Sequence, residues 1–240
     1  MPMRSALSVA GPEAVDPERA RFYADLVNGL HAMAQPLTIL RSAMEVLALP
    51  QAAAIDQRRY LEISAKQVAR TCGMFASLQD LVEVQIIEAQ RARFDLWELL
   101  GPLIEDQRRL LLTSGIGIAA SRTGPWAATW GDAGRTEQAV LAVLRTAASV
   151  SSSGDVIELR AELTDGLVEL TLENTRKHGR RMDSSDRLSL SVAEANILSQ
   201  NGRYAVIEDP FRVSLALPIE EFHRVPCETG LSHRNSQPLN

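Results

Sequence analysis

Cysteine, aromatic side chains and long apolar runs are all scarce in this chain. The two cysteines, Cys72 and Cys227, lie far apart, with no second pair and no metal-ligand spacing, so neither a disulfide framework nor a zinc site is signalled. The longest uncharged stretch, Leu26 to Leu40, carries Asn28, His31, Gln35 and Pro36 and falls short of the roughly 20 apolar residues that a membrane helix needs. Met1 to Val15 lacks the apolar segment of a signal peptide and reads as a flexible tail. A basic excess is also missing: 25 Lys and Arg stand against 30 Asp and Glu, a net charge of −5, which removes the general pull toward nucleic acid or anionic lipid. The expectation is a soluble, cytoplasmic protein with neither nucleic acid nor membrane among its partners.

What is present is apolar patterning. Hydrophobic residues make up 45% of 240, enough for two modest domains that each bury a core. Leu26, Leu30, Met33, Leu37, Leu40, Met44 and Leu47 recur at alternating steps of four and three, a heptad seam that predicts a helix from about Pro17 to Ala48. Asp16 and Pro17 suit its N-cap and first turn. A second helix over about 56–90 follows from Leu61, Ala65, Val68, Cys72, Phe75, Val82, Ile86 and Ala89, with Gln79 a polar interruption. The two make an antiparallel hairpin. A hairpin leaves one apolar face bare, and a second copy covers it most economically, as a dimeric four-helix bundle.

Beyond Arg93 the pattern changes. Phe94 to Thr113 reads as a helix, Gly115 to Ala120 as a strand and Thr136 to Val150 as a helix. Two alternating runs, Ile157 to Leu163 and Val168 to Leu172, flank a turn at Thr164, Asp165 and Gly166. Leu188 to Ser199 is helical in pattern, and Tyr204 to Ile207 with Phe211 to Leu217 forms a last hairpin. The fold class is α+β: the hairpin bundle, then an α/β sandwich. The boundaries are 1–16 tail, 17–92 hairpin, 93–219 sandwich, and 220–240 a polar, aperiodic tail expected to be disordered.

The heptad register puts His31 at a b position, beside the core but facing water. Gln35, Thr38 and Ser42 follow on the same face, and Ala32 and Ala34 leave room for another surface to approach. A neutral imidazole is nucleophilic near pH 7 and takes a phosphoryl group. His31-Ala32-Met33-Ala34-Gln35-Pro36-Leu37-Thr38, on a long heptad helix opening a hairpin, resembles the phosphoacceptor box of sensor histidine kinases, matching it at His31, Gln35, Pro36 and Leu37. The resemblance implies that His31 is the phosphorylation site, with Gln35 in support. The family's acidic neighbour, which orients the imidazole and takes its proton during attack on ATP, is Ala32 here.

The second region resembles the same family's ATP-binding domain in its order of elements: Phe94 to Leu103, the Trp130-Gly131-Asp132 turn, the helix over 136–150, the hairpin, Glu173-Asn174-Thr175 and the strand Val213 to Pro218. The nucleotide-site residues that the resemblance calls for are replaced. Ala142 and Thr146 stand where asparagines hold Mg²⁺ and phosphates, and alanine offers no oxygen to a hard cation. Glu173 stands at the adenine-reading Asp, and Thr175 and Lys177 replace its two glycines. Arg187-Leu188-Ser189-Leu190 occupies the place of a glycine-rich phosphate loop. A basic run, Arg176, Lys177, His178, Arg180 and Arg181, takes the place of the nucleotide lid.

By resemblance the chain is a histidine phosphotransfer protein of a two-component phosphorelay, moving phosphoryl groups between receiver aspartates and His31. No cofactor is expected, ATP binding being lost and Mg²⁺ residing on the partner. The partners are response-regulator receiver domains, a sensor histidine kinase and a second copy of the chain. The alternative is a pseudokinase that docks or inhibits a kinase or response regulator without accepting phosphate. An ATP-dependent kinase and a Gln35-assisted aspartyl phosphatase rank behind both.

Overall fold

The computed structural model describes residues 17–49, 54–124, 128–175 and 180–219. The two tails, Trp126, residues 176–178, His223, Cys227 and His233 lie outside the described residues. Two long helices come first, α1 (Pro17–Leu47) and α2 (Ala54–Ile86), within a few residues of the predicted bounds. A short strand β1 (Ala92–Phe94), α3 (Leu96–Leu112), β2 (Gly117–Thr123), a short β3 (Thr129–Gly131) and α4 (Ala133–Val150) follow. Then come β4 (Val156–Thr164), β5 (Leu167–Asn174), α5 (Ser184–Leu198), β6 (Arg203–Glu208) and β7 (Phe211–Pro218). No described helix is long and apolar enough to cross a membrane.

Five strands form one mixed sheet in the order β2-β4-β5-β7-β6, in which only β2 and β4 are parallel. The β4–β5 hairpin turns at Asp165 (φ 51°) and Gly166 (φ 75°), the paired left-handed residues that suit a tight two-residue turn. Along β5, Val168, Leu170, Leu172 and Asn174 are buried while Leu167, Glu169, Thr171 and Glu173 alternate outward. The inner face joins Leu100, Val140, Leu144 and Ile197 from α3, α4 and α5 in one core. Each such side chain, fully buried, contributes about 1.5–3 kcal/mol. β1 and β3, unforeseen in the sequence, pair antiparallel over three residues as a separate two-stranded ribbon.

Asp side chains start the sandwich helices. Asp95 accepts from the backbone N–H groups of Trp97 and Glu98, and Asp132 from that of Arg135. Asp183 and Asp186 form a reciprocal capping box, so α5 begins at Ser184, four residues ahead of the Leu188 start expected from apolar periodicity.

The heptad seam divides between two faces of the hairpin. The stripe buried where α1 meets α2 is Gly29, Pro36 and Ala43, seven residues apart, against Ser64, Met74, Leu78 and Leu81. Leu30, Leu37 and Met44 of the seam are 46–56% exposed in the single chain, and Leu61, Val68 and Phe75 on α2 are 46–58% exposed, the kind of bare apolar face that a second copy is expected to cover. Periodicity identifies residues that share a face without saying which of two adjacent faces meets the neighbouring helix. At Gly29 the inner face is small because leucine side chains pack onto it: a Cβ there would lie 2.6 Å from Leu78 Cδ2 and 3.1 Å from Leu188 Cδ1.

Candidate functional site

α5 lies along α1 and ties the hairpin to the sandwich. Arg21 on α1 pairs with Glu194 on α5 at 2.8 Å, the Ser191 hydroxyl bonds to Asp25, and Leu188 packs over Gly29. The partner number falls as the α1 number rises, so the two helices run antiparallel. Leu188 enters a small apolar cluster with Met74 and Leu78, against which Leu26, Ala32 and Met33 pack. Burial is the larger cause, and pushes the Asp25 and Glu194 carboxyls above their ordinary range despite Arg21.

The junction has a second clamp. Arg135, 8% exposed, sits in the first turn of α4, where the helix dipole disfavours a cation. Its guanidinium reaches across to the end of α2, donating to the backbone carbonyls of Val84 at 3.5 Å and Ile87, and to Ser199 Oγ at 2.7 Å. The orphan carbonyls at a helix C-terminus are the groups such a cation satisfies. Asp132 accepts from the Gln90 backbone N–H at 2.7 Å, and buried Gln200 accepts from that of Asp132 at 2.6 Å. A Cβ at Gly131 would fall 2.5 Å from Gln200 Oε1, which explains the glycine of the Trp130-Gly131-Asp132 turn. Sequence reasoning missed Arg135; an arginine just inside a capped helix start was the available signal.

His31 is exposed, as its b position requires. Its Nδ1 lies 2.9 Å from the Val27 carbonyl oxygen, one turn back on α1. A carbonyl oxygen only accepts, so Nδ1 carries the proton and the lone pair resides on Nε2. A backbone carbonyl thus orients the ring in the absence of a carboxylate at Ala32. His31 and Gln35 line one cleft of about 550 Å³ between α1 and α5, with Asp25, Ser184, Arg187 and Ser191 among its other walls. Thr38 does not join them: its hydroxyl donates to the Ala34 carbonyl at 2.8 Å. Pro36 is buried inside α1, where its missing N–H leaves a helix carbonyl without its usual partner.

The residues aligned with a nucleotide site do not converge. Asn174 lines a cavity of about 490 Å³ with Val150, Arg180, Arg181, Arg187 and Phe211. Glu173, next to it on β5, points to the opposite face of the sheet and contacts Arg160 at 3.4 Å and Arg212 at 3.8 Å. Asn174 itself donates to Ser151 Oγ at 2.8 Å. Ala142 packs against the core, and Thr146 is 2% exposed with an unpartnered hydroxyl. Residues 187–190 are helical and not a loop, and the Arg187 N–H is spent on the Asp183 carbonyl. Among the described residues, no group of His, Cys, Asp and Glu is arranged to hold a metal.

No protein-family model matches the chain, and no curated protein matches it in sequence. Its fold has many solved counterparts. The Acinetobacter baumannii histidine kinase AdeS superposes with a TM-score of 0.60 at 17% identity, covering 79% of this chain and 98% of that one. The histidine kinase ThkA, solved in complex with the response regulator TrrA, gives 0.66 at 14% identity over 85% of this chain and 64% of its own. Full-length ShkA in complex with AMPPNP gives 0.52 at 18% identity over 85% of this chain and 46% of that one. The long helical hairpin, the mixed sheet behind it and the three helices covering that sheet together are the histidine-kinase fold, and this chain has it.

Proposed function

We propose that the chain is a histidine phosphotransfer protein, with residues 17–92 as a dimerising phosphoacceptor hairpin and 93–219 as an ATPase-like sandwich that has lost its nucleotide. The supporting observation is the state of His31: an exposed imidazole in an open cleft, its Nδ1 proton tied to Val27 and its Nε2 lone pair available. Gln35 in the same cleft supports the incoming group. The phosphoryl donor and acceptor are receiver-domain aspartates, whose acyl phosphate is already activated and whose own domain brings Mg²⁺. That makes a carboxylate base at position 32 dispensable, whereas attack on ATP would need one. ATP is not the proposed source: Ala142 and Thr146 stand where the resemblance calls for Mg²⁺- and phosphate-holding asparagines, and Glu173 is turned to the other face of the sheet.

The outward stripe of Leu30, Leu37, Met44, Leu61, Val68 and Phe75 supports a homodimer closed as a four-helix bundle. The same stripe favours a second reading, a pseudokinase that docks a kinase or response regulator without accepting phosphate. Mixing the purified protein with a phosphorylated receiver domain, and separately with labelled ATP and Mg²⁺, distinguishes them. Phosphotransfer moves label from the receiver to wild-type protein and not to His31→Ala; docking gives a complex without label; label taken from ATP would overturn both readings.

A further inference from the structure

A phosphoryl group on His31 brings a dianion into the cleft between α1 and α5, and the cleft holds one cation suited to it. The contacts Arg21 with Glu194, Asp25 with Ser191 and Gly29 with Leu188 set the register of the two helices. Continued by half a turn, that register brings Arg187 opposite His31, and both side chains line the same cleft. We propose that Arg187 is the anion-holding residue of the phosphoacceptor cleft, its guanidinium pairing with the phosphoryl oxygens carried on His31 Nε2. This rests on the phosphotransfer reading and gives the sandwich a chemical role that needs no nucleotide.

The charges of the step balance. The Nε2 lone pair attacks the phosphorus of the aspartyl phosphate; the N–P bond forms as the acyl P–O bond breaks, and the electron pair leaves with the receiver's carboxylate. Nδ1 keeps its proton, held on the Val27 carbonyl, so the ring becomes a cation bearing a phosphoryl dianion and no proton has to leave. A planar guanidinium offers two parallel donors to two phosphoryl oxygens, which a lysine does not.

At rest Arg187 is held by Glu208, Nε to Oε1 at 3.2 Å and Nη2 to Oε2 at 2.9 Å. The two side chains are 59% and 53% exposed, so water screens this pair and a phosphoryl dianion can displace Glu208. The nearby carboxylates are otherwise engaged. Asp183 pairs with Arg70 at 2.8 Å, Asp186 accepts from Ser149 at 2.6 Å, and Asp25 is turned to Ser191 and Arg21.

The test uses the full chain and phosphoramidate, a small phosphoryl donor that requires no receiver. Mass spectrometry locates the group and ³¹P NMR follows its pH titration in wild type, Arg187→Ala, Arg187→Lys and Glu208→Gln, with thermal melting to confirm folding. The expected result is phospho-His31 in wild type, formed about tenfold more slowly in Arg187→Ala, the loss of one charge-assisted hydrogen bond. The titration midpoint rises in Arg187→Ala, because removing a cation favours the protonated form. Arg187→Lys recovers part of both, and Glu208→Gln shifts both the other way, a change of sign that no loss of folding would produce. Wild type labelled at His31, with Arg187→Ala within twofold of it and its midpoint unmoved, overturns this inference and leaves phosphotransfer standing. No label on His31 of the wild type overturns both.

Discussion

Two clefts flank α5, and they differ in what their walls offer. The one toward α1 has an oriented, exposed imidazole with Gln35 beside it and an arginine across from it. The one toward β5 has Arg180, Arg181 and an Asn174 engaged with Ser151, and shares Arg187 with the first, while the glutamate aligned with the adenine site faces away. One scaffold thus sets an exposed histidine of α1 on one side of α5 and the residues aligned with a nucleotide site, on β5, toward the other. The difference teaches that a fold shared with kinases does not carry their chemistry with it; each cleft has to be judged by the groups turned into it.

The most direct way to break the comparison is to empty the first cleft of its nucleophile. His31→Ala is expected to lower phosphoryl uptake from a receiver by at least about 10²-fold, as removal of a covalent nucleophile does, with folding unchanged. Transfer assays on refolded, monodisperse protein would show it, and residual uptake near wild type would place the chemistry elsewhere.

Next in size is the bare apolar face. Leu37→Glu places a charge in the exposed stripe and is expected to shift a dimer to monomer, weakening association by about tenfold or more. Light scattering across a concentration series measures this. A dimer of unaltered strength would mean that the stripe serves another partner.

The clamp between hairpin and sandwich comes third. Arg135→Ala removes donors from two backbone carbonyls and Ser199, and should cost about 2–3 kcal/mol, or roughly 5–10 °C in melting temperature. A melting curve within a degree of wild type would show that the clamp contributes nothing to stability.

A smaller effect tests the α1–α5 seam. Burial raises the Asp25 and Glu194 carboxyls in the folded chain above their unfolded values, so folding strengthens their hold on protons. Their stabilising contribution is complete below the unfolded values and is lost as pH rises through the folded ones. Asp25→Asn should therefore flatten the decline of melting temperature on going from about pH 4 to pH 7, by no more than a few degrees. A steeper decline in the variant would contradict the assignment.

The smallest expected change is none at all. Ala32→Glu restores the acidic neighbour that kinases carry, yet labelling from ATP and Mg²⁺ should stay at background, because Ala142 still offers no oxygen where the family's asparagine would hold Mg²⁺. Label appearing on His31 would show that the missing base, and not the nucleotide cavity, was the limiting loss.

Much of this was legible along the chain. The two long helices, the β4–β5 hairpin with its Asp165-Gly166 turn and the order of the remaining strands along the chain follow from local spacing, whereas the role expected of His31 comes from its resemblance to a family motif. β1 and β3 escaped because two three-residue strands have no period to read. The start of α5 was missed because its capping box uses Asp186 where Glu or Gln is the usual signal.

The outcome for His31, Glu173 and Arg187 separates the two kinds of information. Helical and strand periods depend only on backbone geometry, so the chain by itself determined that His31 stands beside an apolar seam and that Glu173 and Asn174 face opposite ways. Which of those faces a cavity opens on, that Val27 holds the imidazole, that Gly29 admits Leu188 and so brings Arg187 into the cleft of His31, and that the Leu30 stripe is the one left bare were decided only by tertiary packing. A period says which residues share a side; only the neighbouring elements, brought there by burial of Leu188 and the reach of Arg135, say what that side meets.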